Sequence, residues 1–196
     1  MKYTILMGSP RRDGNTAALL RPFMEENQGL GIEQEIIWLY ERNIQPCLGC
    51  KNCQNKEDYL GCVHKDDVQE IFDAILSSDV LIFATPIYSW FCTPPMKAVM
   101  DRLIYGGCKY YGGEKRHSIY KMKKIATITT CGYAPNKGAD LWEEGLKRWC
   151  KHGNMKYLEM FCHRDMGKQA EFMTEQVELD IRNFAHTLHH MIEDSL

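Results

Sequence analysis

A segment near the N-terminus, Met7 to Thr16, carries residue types that bind anions. It follows a short apolar run and opens into a helical pattern. A strand that feeds a helix in this way presents free backbone N–H groups at the positive end of the helix dipole, and such a site binds phosphate readily. Ser9, Asn15 and Thr16 add side-chain donors, and Arg11 adds a guanidinium suited to phosphate oxygens.

The glycine spacing in this segment narrows the ligand class. The three-glycine pattern of dinucleotide-binding loops is absent from the sequence, and so is the Gly-Lys-Ser/Thr of a Walker loop. A monophosphate is therefore favoured over a pyrophosphate or a triphosphate. The alternative from the residues alone is a tight turn before an ordinary helix cap, since Asn and Thr are good caps.

Four of the nine cysteines crowd into one segment, at Cys47, Cys50, Cys53 and Cys62. Thiolates at two-residue spacing can chelate zinc or an iron–sulfur cluster without distant ligands. An odd cysteine count in a chain without a signal peptide argues against a disulfide framework. The segment therefore predicts metal or thiol chemistry, and a [4Fe–4S] cluster, a structural zinc ion and metal-free thiols all stay open.

Five apolar runs predict the strands that must position these segments. The middle runs are nearly continuous in Val, Ile, Leu and Phe, as expected for strands covered on both faces. The segment that contains the second run, Gly31 to Tyr40, is more polar at its start and is expected at a sheet edge. The runs are Tyr3–Met7, Ile36–Leu39, Val80–Ala84, Ile125–Thr129 and Tyr157–Phe161.

Helical patterns alternate with the predicted strands. One runs from Val68 to Leu76 with an apolar stripe, and a longer one begins near Val177. Five such alternations predict one doubly wound α/β domain with a parallel sheet. Ligands bind these sheets beyond the carboxyl ends of the strands, so the segments that follow three strands are expected to converge on one crevice. Those segments are Gly8–Thr16, Thr85–Trp90 and Thr130–Tyr133.

Composition limits the partners and the location. The net charge is −2, with 24 basic against 26 acidic residues, so no broad basic field indicates nucleic acid or an anionic lipid surface. No apolar run approaches the ~20 residues that span a bilayer, and no signal peptide is recognisable. We expect a cytoplasmic protein with neither a nucleic-acid nor a membrane partner.

Several motifs occur in one order along the chain, and together they resemble a known family. They are Gly8-Ser9-Pro10-Arg11-Arg12-Asp13-Gly14-Asn15-Thr16, then Cys47-x-x-Cys50-x-x-Cys53, Asp66-Asp67, Thr85-Pro86-Ile87-Tyr88-Ser89-Trp90, and Pro94-Pro95-Met96-Lys97-Ala98-Val99-Met100-Asp101-Arg102. In this order they resemble the NAD(P)H-dependent FMN reductase group of the flavodoxin-like superfamily, including its iron–sulfur flavoprotein branch. The resemblance runs from Met1 to about Phe161.

The resemblance implies a flavodoxin-like fold, in which a five-stranded parallel sheet of order 2-1-3-4-5 has helices on both faces. We expect a single FMN-binding domain over residues 1–196. It would carry a Cys-rich insertion at about 46–63 and a Gly/Tyr-rich loop at about 105–120. We interpret that loop as a lid or a subunit contact near the flavin, and a mobile surface loop is the alternative.

The resemblance also implies the cofactor residues. Ser9, Arg11, Asn15 and Thr16 match the loop that holds the FMN phosphate. The segments beside the isoalloxazine ring would be Pro86, Ile87, Tyr88, Ser89 and Trp90 on one side, and Thr130, Cys131 and Gly132 on the other. Packing in the core or at a subunit interface is the alternative for Tyr88 and Trp90. We interpret Cys131 as a small residue that allows close approach rather than as a redox partner of the flavin.

The activity implied is that of an FMN-dependent oxidoreductase. NAD(P)H would deliver hydride to flavin N5, and a quinone, flavin, nitro compound or iron–sulfur centre would take the electrons. Because the cofactor carries this chemistry, no catalytic side chain is predicted. A flat ring open on one side is commonly walled by a second subunit, so a homodimer or homotetramer is expected.

Two other functions are consistent with the same residues. One is an iron–sulfur flavoprotein that carries electrons between protein partners, with a redox protein in place of the small-molecule acceptor. The other is a thiol or metal sensor based on the Cys47–Cys62 segment. The chain leaves open the physiological acceptor and the choice of NADH over NADPH.

Overall fold

The five predicted strands form one parallel sheet in the computed structural model, which describes residues 1–57, 59–120 and 122–194. The elements follow one another as β1 (Lys2–Met7), α1 (Asn15–Gly29), β2 (Glu33–Trp38), α2 (Val68–Ser77), β3 (Val80–Pro86), α3 (Pro94–Gly107), β4 (Cys108–Lys109), β5 (His117–Ser118), β6 (Lys124–Cys131), α4 (Pro135–Gly138), α5 (Asp140–Gly153), β7 (Lys156–Arg164) and α6 (Glu175–Glu193). Short 3₁₀ helices lie at Leu39–Glu41, Asn52–Asn55 and Gly167–Gln169.

The strand order is β2-β1-β3-β6-β7. Counting only the five sheet strands, this is the predicted order 2-1-3-4-5, and the flavodoxin-like fold class is confirmed. Strand β2 lies at an edge, as its polar start predicted. Leu6 of β1 pairs with Ile37 of β2 and with Phe83 of β3. Strand β2 is thus added on one side of β1 and the later strands on the other side, which is a reversal of strand order. Ligands bind α/β sheets at such a reversal.

Both faces of the sheet are covered by helices. Side chains alternate along β1, so Ile5 and Met7 pack in one core with α1 and α6, while Leu6 packs in the other with α2, α3 and α5. In β3 every residue from Val80 to Thr85 is buried. The continuous apolar runs of the central strands follow from this double coverage.

Two long segments extend beyond this frame. The connection from β2 to α2 contains the four clustered cysteines, and the segment after α3 contains a hairpin in which β4 pairs antiparallel with β5. No helix within the described ranges is both long and apolar enough to span a bilayer.

Candidate functional site

The turn after β1 lies close to β3 and α3. The Gly8 N–H donates to the Ala84 carbonyl oxygen at 2.7 Å, and a Cβ atom at Gly8 would lie 2.9 Å from the Thr93 hydroxyl. Only glycine therefore fits at this point without a shift of its neighbours. The contact holds the start of the loop at the carboxyl end of the sheet.

The rest of this loop leads into the N-terminus of α1. The Ser9 hydroxyl accepts a hydrogen bond from the Arg11 N–H at 3.2 Å, which fixes the turn. The residue before α1 is Gly14, which has no side chain with which to cap the helix. The first-turn N–H groups are therefore left for an external acceptor, at the positive end of the dipole of a 15-residue helix.

Hydrogen bonds connect the start of α1, the loop after β3 and the end of β6 to one another. The Thr16 and Thr130 hydroxyls lie 2.9 Å apart, which connects α1 to the end of β6. The Ile87 N–H donates to the Thr130 carbonyl oxygen at 2.8 Å, which connects the loop after β3 to the same place. The three predicted segments thus meet at the reversal of strand order.

The loop after β3 forms a tight two-residue turn. Tyr88 and Phe91 exchange two backbone hydrogen bonds, of 2.8 and 3.0 Å, and the residues between them have positive φ angles, 49° at Ser89 and 65° at Trp90. This backbone conformation is costly for residues other than glycine and is commonly found at functional sites.

Tyr88 and Trp90 are half-exposed rather than part of the core. Their exposed fractions are 47% and 46%. Trp90 stacks on Tyr133, with ring centroids 5.9 Å apart and planes inclined by 14°, and its indole N–H donates to the Lys137 carbonyl oxygen at 3.0 Å. The aromatic rings of Trp90 and Tyr133 thus lie at the mouth of the crevice, and the turn orients Trp90.

Two adjacent cavities occupy the crevice, of about 310 and 280 Å³, and a small-ligand site has a similar size. The first is lined by nine of the predicted residues: Ser9, Arg11, Thr16, Pro86, Ile87, Tyr88, Thr130, Cys131 and Gly132. The second is lined by Ser89, Trp90 and Tyr133, and it shares Ile87, Cys131 and Gly132 with the first. Asn15 begins α1 and lines neither cavity.

The end of β7 contributes two residues that the predicted set lacks. Asp165 and Gly167 line the first cavity. The Asp165 N–H donates to the Cys131 carbonyl oxygen at 2.8 Å, and the Asp165 carboxylate accepts the Gly167 N–H at 2.8 Å. The strand order could have indicated them. Strand β7 lies next to β6, so the residues that follow β7 are close to those that follow β6.

The Cys-rich segment forms a separate region. Cys47, Cys50, Cys53 and Cys62 all line one small cavity, and the Gly49 N–H donates to the Cys47 sulfur at 3.4 Å. Among the described residues, no three His, Cys, Asp or Glu side chains are close enough together to hold a single metal ion. The described residues therefore give no support to a single metal ion, such as zinc, at this cavity.

A buried ion pair lies against this cavity. The Arg102 guanidinium donates to both carboxylate oxygens of Asp66 at 2.5 and 2.8 Å, and both side chains are 1% exposed. Burial alone would raise the pKa of Asp66, but the hydrogen bonds and charge of Arg102 lower it overall. Arg102 also lines the cavity, so a fixed positive charge stands beside the thiols.

The Gly/Tyr-rich loop packs on the Cys-rich segment. The Gln54 side chain donates to the carbonyl oxygens of Tyr105 and Cys108, at 2.5 and 3.1 Å, and accepts the Tyr111 N–H at 2.7 Å. None of the described residues of 105–120 lines either crevice cavity. The structure thus places this loop against the Cys-rich segment and outside the crevice cavities, where it does not form the predicted lid, and its role as a subunit contact stays a prediction.

Residues 1–159 match the family model of NADPH-dependent FMN reductases. The chain belongs to this family. The predicted recognition is confirmed, and the chain is an oxidoreductase.

Among the relatives of this FMN reductase family member is an iron–sulfur flavoprotein of Archaeoglobus fulgidus. It is 28% identical, and the match covers 96% of this chain and 94% of the relative.

Solved structures support the same fold. An NAD(P)H:quinone oxidoreductase from Methanothermobacter marburgensis superposes with a TM-score of 0.76 at 20% identity, over 96% of each chain. An FMN-dependent NADH-azoreductase from Bacillus anthracis, in complex with FMN, superposes with a TM-score of 0.72 at 14% identity, over 96% of this chain and 99% of the other. At these identities the likeness concerns the fold alone.

Proposed function

We propose that this reductase binds FMN in the crevice at the ends of β1, β3 and β6, and uses it to pass electrons from NAD(P)H to a small acceptor. The observation that carries the proposal is the common cavity, because residues from three distant segments line it at the reversal of strand order. Family membership supports the cofactor, and the azoreductase of the same fold is itself a complex with FMN.

The end of the cavity beside α1 fits the phosphate. The uncapped first turn of α1 offers backbone N–H groups, and Arg11 adds a charged donor to the same cavity. Ser9 orders the turn through its hydrogen bond with the Arg11 N–H. Thr16 joins this end to Thr130, so the phosphate and ring ends keep a fixed spacing.

The other end fits a flat ring. Pro86, Ile87 and Tyr88 line one side, and Thr130 to Gly132 line the other. Gly132 has open space where a Cβ would stand, so a ring can approach its backbone. When bound, FMN would supply the hydride acceptor and the electron donor, and these residues would orient it.

The mouth of the crevice fits a flat second substrate. Trp90 and Tyr133 present parallel, half-exposed faces beside the ring end, and such faces stack on planar molecules. We include a nicotinamide ring and aromatic acceptors such as quinones or azo compounds in this class. A second copy of the chain beside this mouth is part of the proposal, because exposed aromatic residues are typical of interfaces.

The experiment compares two neighbouring arginines by titrating apoprotein with FMN and following flavin fluorescence. Arg11→Ala removes a charged donor from the cavity, and the expected loss of affinity is about 10- to 100-fold. Arg12→Ala is the control, because Arg12 pairs with Glu41 at 2.7 Å and lies over Trp38, and it should change the affinity less than about twofold.

Equal losses for the two variants, or no FMN binding by the wild type, would contradict the proposal. Anaerobic addition of NADPH or NADH to the FMN-loaded protein then tests the reductase step. Prompt loss of absorbance at ~450 nm is the expected result for bound oxidised flavin. Persistent absorbance would favour a carrier that accepts electrons from a protein donor.

A second cofactor is favoured by one observation, the cavity that all four clustered cysteines line. We propose that Cys47, Cys50, Cys53 and Cys62 hold a [4Fe–4S] cluster, since the relative from Archaeoglobus fulgidus is named an iron–sulfur flavoprotein. Soft thiolates fit such a cluster, and the Arg102 guanidinium interacts with Cys62 as well as with Asp66.

Iron and sulfide analysis of anaerobically purified protein tests this second proposal. About four of each per chain is the expected result for a cubane cluster. Cys50→Ser should lower both, whereas Cys150→Ser, at a buried position of α5, should leave them unchanged. Absence of iron and sulfide from the wild type would remove the cluster and leave the flavin site untouched.

A further inference from the structure

Two cysteines outside the Cys-rich segment lie in contact beside the crevice. The Cys131 and Cys162 sulfur atoms are 3.5 Å apart. Cys162 of β7 pairs with Thr129 of β6, and Cys131 is two residues beyond Thr129, so both side chains are on the same face of the sheet. This contact depends on the register of two adjacent parallel strands.

The two thiols stand in different surroundings. Cys131 is 4% exposed overall but lines both crevice cavities, so a small solute in the crevice meets its side chain. Cys162 lines neither crevice cavity, although its side chain is more exposed than that of Cys131. A molecule that enters from the crevice therefore reaches Cys131 first.

The surroundings also shift the pKa values of the two thiols in opposite directions. The hydrogen bond from Cys162 lowers the pKa of the Cys131 thiol against the effect of burial, and the Tyr133 backbone and the Arg164 charge act in the same direction. The same hydrogen bond, together with burial, raises the pKa of Cys162. Thiolate is the reactive form of cysteine, and Cys131 is also the member of the pair that lines the crevice, so Cys131 is the thiol placed to attack a solute there.

We propose that Cys131 and Cys162 form a peroxide-reactive thiol pair on the wall of the crevice, closing to a disulfide. The Cys131 thiolate attacks one oxygen of hydrogen peroxide and breaks the O–O bond, which gives a sulfenic acid at Cys131 and releases hydroxide. Cys162 then attacks the Cys131 sulfur, the S–OH bond breaks, and water leaves with the Cys162 proton. The released hydroxide takes up the proton that Cys131 lost on ionisation. The two thiols thus lose two electrons in total, and the peroxide becomes two molecules of water.

The approach required for this closure is short. The sulfur atoms must move from 3.5 Å to the ~2 Å of a disulfide bond. Cys131 ends β6 and is followed by the loop that carries Gly132, so the strand end can yield without disturbing the centre of the sheet. The reaction uses only thiols and peroxide, so no electron passes through the proposed FMN or cluster. FMN bound in the crevice would cover Cys131, so the flavin-free protein is the form to test.

Two other cysteines provide matched controls. Cys92 and Cys150 are buried in the core, and burial raises the pKa of each to about 12. They share the low exposure of Cys131 but line neither crevice cavity. If burial alone decided reactivity, they would behave as Cys131 does.

The experiment treats the purified, flavin-free full-length protein with one equivalent of hydrogen peroxide. Remaining thiols are then alkylated, and the peptides are mapped by mass spectrometry without reduction. The expected product is a peptide pair linked through Cys131 and Cys162, in at least tenfold excess over any oxidised form of Cys92 or Cys150. The map also separates this product from oxidation within the Cys47–Cys62 segment.

Single variants test the order of attack. Cys162→Ser should leave a sulfenic acid at Cys131 that dimedone traps, whereas Cys131→Ser should leave Cys162 alkylated and unoxidised. The proposal is overturned if the wild type keeps both thiols while other cysteines oxidise, or if Cys162 is the residue that dimedone labels. The wild-type map alone decides the matter should either variant fail to fold.

Discussion

The crevice and the Cys-rich segment are both candidate cofactor regions, but they are built differently. The crevice lies at the ends of sheet strands, where backbone hydrogen bonds fix each loop, as between Gly8 and Ala84 or Ile87 and Thr130. The Cys-rich segment lies in a long connection whose structure depends on a few side chains, chiefly the buried pair Asp66–Arg102 and Gln54. A site on strand ends is formed before its ligand arrives, whereas a site in a connection depends on a few anchors.

The largest expected effect comes from removing one anchor of the Cys-rich segment. Asp66→Ala leaves the Arg102 charge buried without its partner, and the free energy of unfolding should fall by about 3–5 kcal/mol. Asp101→Ala breaks an exposed pair with Lys97 on the same helix and should cost about 1 kcal/mol or less. Urea unfolding measures both, and similar losses for the two variants would contradict the role given to the buried pair.

The same pair gives the protein a stability that depends on pH. Because the pKa of Asp66 is lowered in the folded state, its contribution is fully present above the unfolded value of about 4 and is lost as the pH falls towards the folded value. Between about pH 5 and pH 3 the wild type should therefore lose more stability than Asp66→Ala. If the wild type and Asp66→Ala lost the same stability over that range, Asp66 would not be a cause of the pH dependence.

Adding a methyl group at two glycines of the crevice should affect the stability of the protein differently. Gly8→Ala places a Cβ within 3.1 Å of Thr85, Thr93 and Met96, so the neighbours must shift, and the expected cost is about 1–3 kcal/mol. Gly132→Ala meets open space and should change stability by less than about 0.5 kcal/mol. Thermal unfolding of the apoproteins distinguishes the two, and equal costs would mean that Gly8 is not a close contact.

The smallest expected effect concerns the strained turn at the mouth. Ser89→Gly relieves a φ of 49°, which glycine adopts freely, and should stabilise the protein by about 0.5–1 kcal/mol. The gain should appear in the midpoint of denaturant unfolding. A loss of stability would show that the turn is held by contacts of the Ser89 side chain instead.

Much of the frame followed from the sequence. The continuous apolar runs predicted the central strands, and the polar start of β2 predicted its place at the edge, because these patterns depend on burial of one or two faces. The order of three motifs at strand ends placed their residues around one cavity.

Other features needed the structure because they depend on register and on distant packing. The contact between Cys131 and Cys162 requires a particular alignment of β6 and β7, and the pairing shifts between Ile125 and Thr127. A slip of one residue would send either side chain to the opposite face. The buried pair of Asp66 with Arg102 likewise joins residues from two separate motifs. Nothing in the sequence of either motif indicates that these two charges lie in contact.

The most direct test of the central claim compares FMN with riboflavin in binding to the apoprotein. The two ligands share the ring, and only FMN carries the phosphate that the first turn of α1 and Arg11 are proposed to hold. Isothermal titration should give FMN an affinity at least about 100-fold higher than that of riboflavin, as expected for more than one charge-assisted hydrogen bond. Equal affinities, or no binding of FMN, would contradict the assignment of this crevice.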